Sequence, residues 1–439
     1  MGILSLTYRR PQLVDRDSFR RYISNDGLSE KEDGSLKSGQ SGHSSGVPDA
    51  LTFDKIISGG TCPPMTIRDF MNYLVYIEHS AENLQFFLWH RDYEKRFHEA
   101  QTRDKFLAPE WTQTMEDGTL AKIMKDAADK IRKEPPAAII FRGTDFEKNA
   151  GEQISESRDP FTTPPRTPGG SNDDASTVFS SHGTYRSQVE ETFSAAGAKQ
   201  PFTIQPFRAE IDRVIATYLA ANAARQLNLS GRELQATMQA LAYTTHPSAF
   251  RLIVKTTENI LRKQAHPNFV RWSICNSNPA RVCFARVLGY LTIVLATIGA
   301  IILTLSHVGR GYRALFAIGW VIGVATLVAS YKGMCIVLHG LHHRHIRPWE
   351  LFVDEEGEDL GKHSFESLGT VNSYEEQPWI VKYEKRSLVR KVFDRQVWIQ
   401  EPALRQIQDT IFVQSVMIGL VASAVLSAVF VAVPAGGFF

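Results

Sequence analysis

Apolar positions along this chain follow two regimes. Up to about residue 285 they recur every three or four residues; beyond that they form unbroken runs. In the first regime Phe70, Tyr73, Leu74 and Ile77 follow Thr66, and Phe86, Trp89, Tyr93 and Phe97 return along one face after Glu82. That period is helical, and the aromatic stripe is expected to be core. Pro206 suits a first turn, ahead of Phe207, Ile211, Val214, Ile215, Tyr218 and Leu219. Ser230 and Glu233 have capping-box spacing and open a helix carrying Leu234, Met238 and Leu241. Phe250, Ile253, Val254, Thr257, Ile260 and Leu261 make a last stripe, ending before Pro267. No segment alternates with the strand period between hairpin turns, so the expectation is an all-α domain.

In the second regime three runs dominate: Val287–Leu305, Ala314–Tyr331 and Ile411–Val433. Each is close to the roughly 20 residues that cross about 30 Å of hydrocarbon. The chain therefore predicts a polar N-terminal part followed by a membrane anchor, with transmembrane helices 1 and 2 in 283–338, a polar segment 339–410 and a third helix in 411–433. Lys and Arg beside the spans place the N-terminal part and 339–410 on one side, and the positive-inside rule makes that side the cytosol. Lys332 interrupts the extension of the second run, as a snorkelling residue or, alternatively, a functional intramembrane charge.

Two stretches lack the apolar content to offset ordering entropy. Residues 1–50 begin with a short helical pattern, Asp15 to Ser24, and pass into a Ser/Gly linker, Gly34 to Pro48. Residues 149–199 hold Thr163-Pro164 and Thr167-Pro168, open to kinases or plain loop, and read as a disordered insertion splitting a helical domain at 51–275.

The net charge of +2 argues against bulk nucleic-acid binding. Four cysteines have neither zinc nor disulfide-framework spacing, and Cys275 and Cys283 sit where palmitoylation or idle thiols both fit. His339, His342, His343 and His345, with Arg344 and Arg347, read as a cationic cluster at lipid headgroups, the rival being a metal pair. No phosphate loop or nucleophile elbow is present, so no catalytic residue, metal or cofactor is expected.

Residues 51–97 carry a resemblance. Phe53 and Ile56, then Phe70, Leu74 and Glu78, then Ser80-Ala81-Glu82-Asn83-Leu84 and the aromatics Phe86, Phe87 and Tyr93 resemble the first half of a regulator of G-protein signalling (RGS) domain. Leu227-Asn228-Leu229-Ser230, Phe250 and Phe269 resemble its second half. A split domain with three C-terminal spans is similar to the fungal membrane-bound branch of that family, which includes bud-site landmark proteins. The resemblance implies an RGS-type helical bundle that binds a Gα subunit in its GTP or transition-state form and speeds GTP hydrolysis without donating a catalytic group. It implies contacts from Ser80, Glu82, Asn83 and Asn228, with Gln264 and Asn268 on the same surface. Without the pattern, Glu82 and Asn83 read as helix caps and Asn228 as a turn residue. Where the family has Asp-Ser-Tyr-x-Arg-Phe, this chain has Gln264-Ala265-His266-Pro267-Asn268-Phe269, so an ion pair of the contact surface is missing. The rival expectation is a catalytically silent membrane scaffold or polarity landmark.

Overall fold

A computed structural model describes residues 13–15, 47–100, 103–133, 181–221, 223, 225–353, 378–434 and 436. Helices run in the order α1 (Phe53–Ile57), α2 (Ile67–Tyr73), α3 (Ala81–Glu99), α4 (Gln113–Lys133), α5 (Ser181–Ala195), α6 (Arg208–Val214), α7 (Gly231–Tyr243), α8 (Arg251–Ile260) and α9 (His266–Ile274). Then come α10 (Pro279–Leu305), α11 (Ala317–Tyr331), α12 (Ile336–Gly340), α13 (Pro348–Val353), α14 (Pro378–Glu384), α15 (Leu388–Val392) and α16 (Pro402–Ala432). The described residues are mostly helical. The departure from an all-α chain is a two-stranded antiparallel ladder, β1 (His343–His345) against β2 (Gln396–Trp398), with Arg344 opposite Val397. Three residues per strand are too few to show alternation.

Contacts divide the chain into two compact units, one of Met1–Leu84 with Glu258–Phe439 and one of Gln85–Thr257. This partition differs from a division between soluble domain and anchor at residue 275.

In the unit Gln85–Thr257, the α3 stripe is core: Phe86, Tyr93 and Phe97 are buried with Ile211, Ile215, Met238, Leu241 and Phe250. Trp89 stacks on Tyr93 at 5.1 Å and meets Phe250 edge-on at 5.4 Å, a geometry that adds to area burial. The Tyr93 hydroxyl donates to the Thr245 carbonyl. Ser230 and Glu233 form the expected capping box of α7. Part of the predicted insertion is ordered instead: α5 places Val189 and Phe193 in the same core. Burying that pair four residues apart offsets the entropy of fixing a Ser/Thr-rich helix. Residues 149–180, and the helical pattern of Asp15 to Ser24 beyond Asp15, lie outside the described residues.

In the other unit, Thr66 and Asp69 cap α2 reciprocally. Phe70 packs on Phe269 at 4.9 Å and Tyr73 on Trp272 at 5.2 Å, joining α2 to α9. Trp349 of α13 continues this ladder, stacking on Trp272 at 5.9 Å and on Tyr76 at 4.8 Å. Backbone and side chains close it further. Glu401 Oε2 accepts from the Cys62 amide at 2.8 Å, the Pro63 carbonyl accepts from the amides of Gln400 and Glu401, and Gln408 donates to the Ile274 carbonyl.

Three helical segments, Pro279–Leu305, Arg310–Tyr331 and Pro402–Ala432, are long and apolar enough to cross a membrane. The first and third begin upstream of their apolar runs, each with proline in the first turn behind a capping side chain, Asn278 or Glu401. The helices pack through small residues. A side chain at Gly323 would lie 2.5 Å from Ile293 and 3.0 Å from the Gly289 carbonyl, so this crossing tolerates only glycine. Trp320 is fully buried, donates to Thr297 and stacks on Phe430. Arg313, also fully buried, donates to the carbonyls of Phe430 and Val433 at 2.8 and 2.7 Å.

Half of the residues read as a headgroup cluster are turned inward, while His342 is exposed and His343 and Arg347 are half-buried. His339, Arg344 and His345 are buried. Arg344 pairs with Glu350 at 2.9 Å, Arg281 approaches His345, and Arg347 lies over the Trp272 ring at 3.6 Å. Burial, and then the neighbouring Arg281, push His345 down to about 4. Among the described residues no group of three or more His, Cys, Asp or Glu side chains is placed to hold a metal ion.

Candidate functional site

The corner between α2 and α3 is set by a wide turn. Leu74–Glu78 coils as a π-helix, which inserts one residue beyond the α-helical repeat, and His79 then adopts the left-handed conformation (φ 51°). π turns recur at functional sites in proteins generally. Ile77, part of the helical pattern with Phe70, Tyr73 and Leu74, falls in this π turn and is 44% exposed. The Ser80 amide reaches back to the Leu74 carbonyl at 3.0 Å, closing the corner before α3 begins. Within it, burial first and Glu78 second push the Tyr73 hydroxyl above the usual range.

Ser80, Glu82 and Asn83 come together at the mouth of α3. Ser80 and Glu82 are half-buried at the surface. Glu82 lies in the first helical turn, where a carboxylate is favoured by the helix dipole. Asn83 points inward: it is buried, and its Nδ2 donates to the Ser80 carbonyl at 3.4 Å. The outward face of the corner therefore consists of Ile77, His79, Ser80 and Glu82. His79 was not singled out in the sequence, where a left-handed histidine leaves no periodic signature.

Gln264 and Asn268 are buried as well. Gln264 belongs to a second π turn, Leu261–Ala265, which lets the helical path continue to Pro267 in the first turn of α9 instead of ending before it. Asn268 spends both amide atoms on one residue. Its Oδ1 accepts from the Val14 amide at 2.9 Å and its Nδ2 donates to the Val14 carbonyl at 3.1 Å, so the side chain pins the N-terminal segment and is not displayed. Next to it, His266 is buried and bonded to the Leu51 carbonyl at 2.8 Å, and burial above all pushes it down to about 4.

Asn228 belongs to the other unit. It is exposed in the loop after the Leu227 amide bonds to the Tyr218 carbonyl and just before the Ser230 cap. Leu227 and Leu229 pack into the core on either side, leaving the Asn228 amide to the surface. Behind the α3 stripe, Glu210 accepts from Trp89 at 2.8 Å and from both terminal nitrogens of Arg96. The Arg96 hydrogen bonds hold its carboxyl below the usual range.

A half-buried carboxylate, an exposed amide and an exposed apolar group on helix-joining turns can bind a protein surface. Nothing in the set activates a nucleophile. No family model, no curated protein and no solved structure matches the chain.

Proposed function

We propose that this chain is a membrane-tethered regulator that binds an activated Gα subunit and accelerates GTP hydrolysis by steadying its switch segments. The reading rests on the Ser80-Ala81-Glu82-Asn83 sequence at the mouth of a helix, framed by a fixed corner that turns Glu82 outward. Asn228, exposed on its own loop, supplies the amide donor and acceptor that the RGS resemblance places beside the hydrolytic glutamine. Gα carries its own arginine, glutamine and Mg²⁺, so a regulator needs only preorganisation, and each tenfold gain corresponds to about 1.4 kcal/mol of differential binding. Sharing a membrane with a lipidated partner raises the effective concentration of such a contact.

The rival is a silent scaffold on the same membrane, and one observation favours it. Asn268, where the family pattern has an arginine, is occupied by Val14.

Single-turnover GTP hydrolysis by lipidated Gα, with the full chain in nanodiscs, separates the two. Stimulation that drops about tenfold or more in Glu82→Ala with Asn228→Ala is the expected result. An unchanged rate at saturating chain removes the activating role. Binding that is tight but indifferent to the aluminium-fluoride state of Gα assigns the scaffold.

A further inference from the structure

The juxtamembrane segment around α15 combines exposed apolar and basic side chains that the G-protein reading does not use. Leu388, Val389 and Phe393 are 74%, 69% and 68% exposed. Lys385 and Arg390 are exposed in the same segment, and Arg386, Val389, Arg390, Phe393 and Asp394 line a shallow cavity of about 330 Å³. Residues 378–395 carry six Lys and Arg against two acids, Glu384 and Asp394. Arg386 is partnered by Asp394 at 3.2 Å, whereas among the described residues Lys385 and Arg390 have no acidic partner.

The level of this surface is fixed by α10. Asn278, the cap of α10, donates to the Lys391 carbonyl, Arg281 donates to the Val392 carbonyl at 3.4 Å, and Phe393 meets Phe284 edge-on at 6.0 Å. Phe284 begins the exposed stripe of α10 that continues through Leu288, Leu291 and Leu295. A helix of 27 residues spans about 40 Å, more than the roughly 30 Å of hydrocarbon, so its first turns fall in the headgroup zone. Continuity with a membrane-spanning face identifies what covers the apolar side chains, and the basic excess selects its charge.

We propose that α15 and its flanks form a membrane-docking face for anionic phospholipid. Leu388, Val389 and Phe393 enter the interfacial layer around α10, while Arg390 at the cavity holds the headgroup phosphate and Lys385 adds to the positive charge of the same segment.

The test uses the full chain in nanodiscs of phosphatidylcholine alone or mixed with phosphatidylserine, read by amide hydrogen exchange at 385–393. Exchange is expected to slow about fivefold or more with phosphatidylserine, and high salt to weaken the effect. Lys385→Gln with Arg390→Gln is expected to erase the lipid dependence, and Val389→Asp to erase protection in both lipids, with β1 and α10 amides unchanged as the check on folding. Equal exchange in both lipids and in detergent overturns the proposal, by a comparison that needs no variant. A lipid effect that survives the double variant does so too. Glycerophosphoserine reproducing the effect in phosphatidylcholine discs would assign a soluble-phosphate site in place of a membrane face.

Discussion

The two units use the same aromatic chemistry and assemble it differently. In Gln85–Thr257, stripes that are periodic within single helices meet one another: Phe86, Trp89 and Tyr93 on α3 face Phe250. In the other unit the decisive contacts join remote parts of the chain, as in Trp272 with Trp349 and Cys62 with Glu401. One core is encoded by local period, the other by returns through the anchor. A boundary drawn where hydropathy rises therefore divides the second core down its middle.

Ending the chain at Cys275 is the most severe way to break that comparison. It removes Trp349, Glu401 and Gln408 from the membrane-linked unit and leaves Gln85–Thr257 whole. Two aromatic stacks at about 0.5–1.5 kcal/mol each, with the lost apolar burial and hydrogen bonds, amount to several kcal/mol. Hydrogen exchange is expected to quicken across Asp49–Leu74 while α7 keeps its protection; equal protection of Asp49–Leu74 in the truncated and full chains would refute the shared core.

Acid probes the same unit more gently. His266 is held near 4 when folded, against about 6.5 in an open chain. Below pH 6.5 the unfolded state takes up a proton that the folded state refuses. Stability is therefore present above pH 6.5 and is lost as pH falls toward 4, by at most about 3 kcal/mol. His345 acts in the same sense. His266→Gln should flatten part of that decline in unfolding scans between pH 7 and 4; an unaltered slope would mean that His266 titrates normally in the fold.

The smallest effect sharpens the local side of the contrast. Ser230→Ala removes one half of the α7 capping box and should cost about 1 kcal/mol. Faster exchange confined to the first turn of α7 is the expected signature, and a loss spreading through the whole unit would contradict a locally encoded helix.

Much of this architecture could be read in advance where period and caps agree. The α3 stripe, the Ser230–Glu233 box and the three apolar spans are all present as written. The true starts of the spans were also legible, in Asn278-Pro279 and Glu401-Pro402, but hydropathy alone points inside them. Helix α5 was missed because two buried side chains, Val189 and Phe193, decide it within a polar stretch. The proposed contact corner was legible only as residue types. Which of them face outward depends on a π turn and on His79, around which Ile77 is exposed and Asn83 buried. In the cluster at 339–347 the burial of Arg344 and His345 was not legible, because the partners there, Glu350, Trp272 and Arg281, are supplied by three other places in the chain.

Arg313 carries a consequence for biogenesis. Two of its three hydrogen-bond acceptors, the carbonyls of Phe430 and Val433, are translated more than a hundred residues after it; the third, the Thr304 carbonyl, precedes it. Before α16 is in place the hairpin of α10 and α11 offers this guanidinium the Thr304 carbonyl alone among those three, and an under-paired cation is costly in hydrocarbon. Arrival of α16 is what allows it to be enclosed. Pairing of this arginine is therefore completed by the last helix to be made.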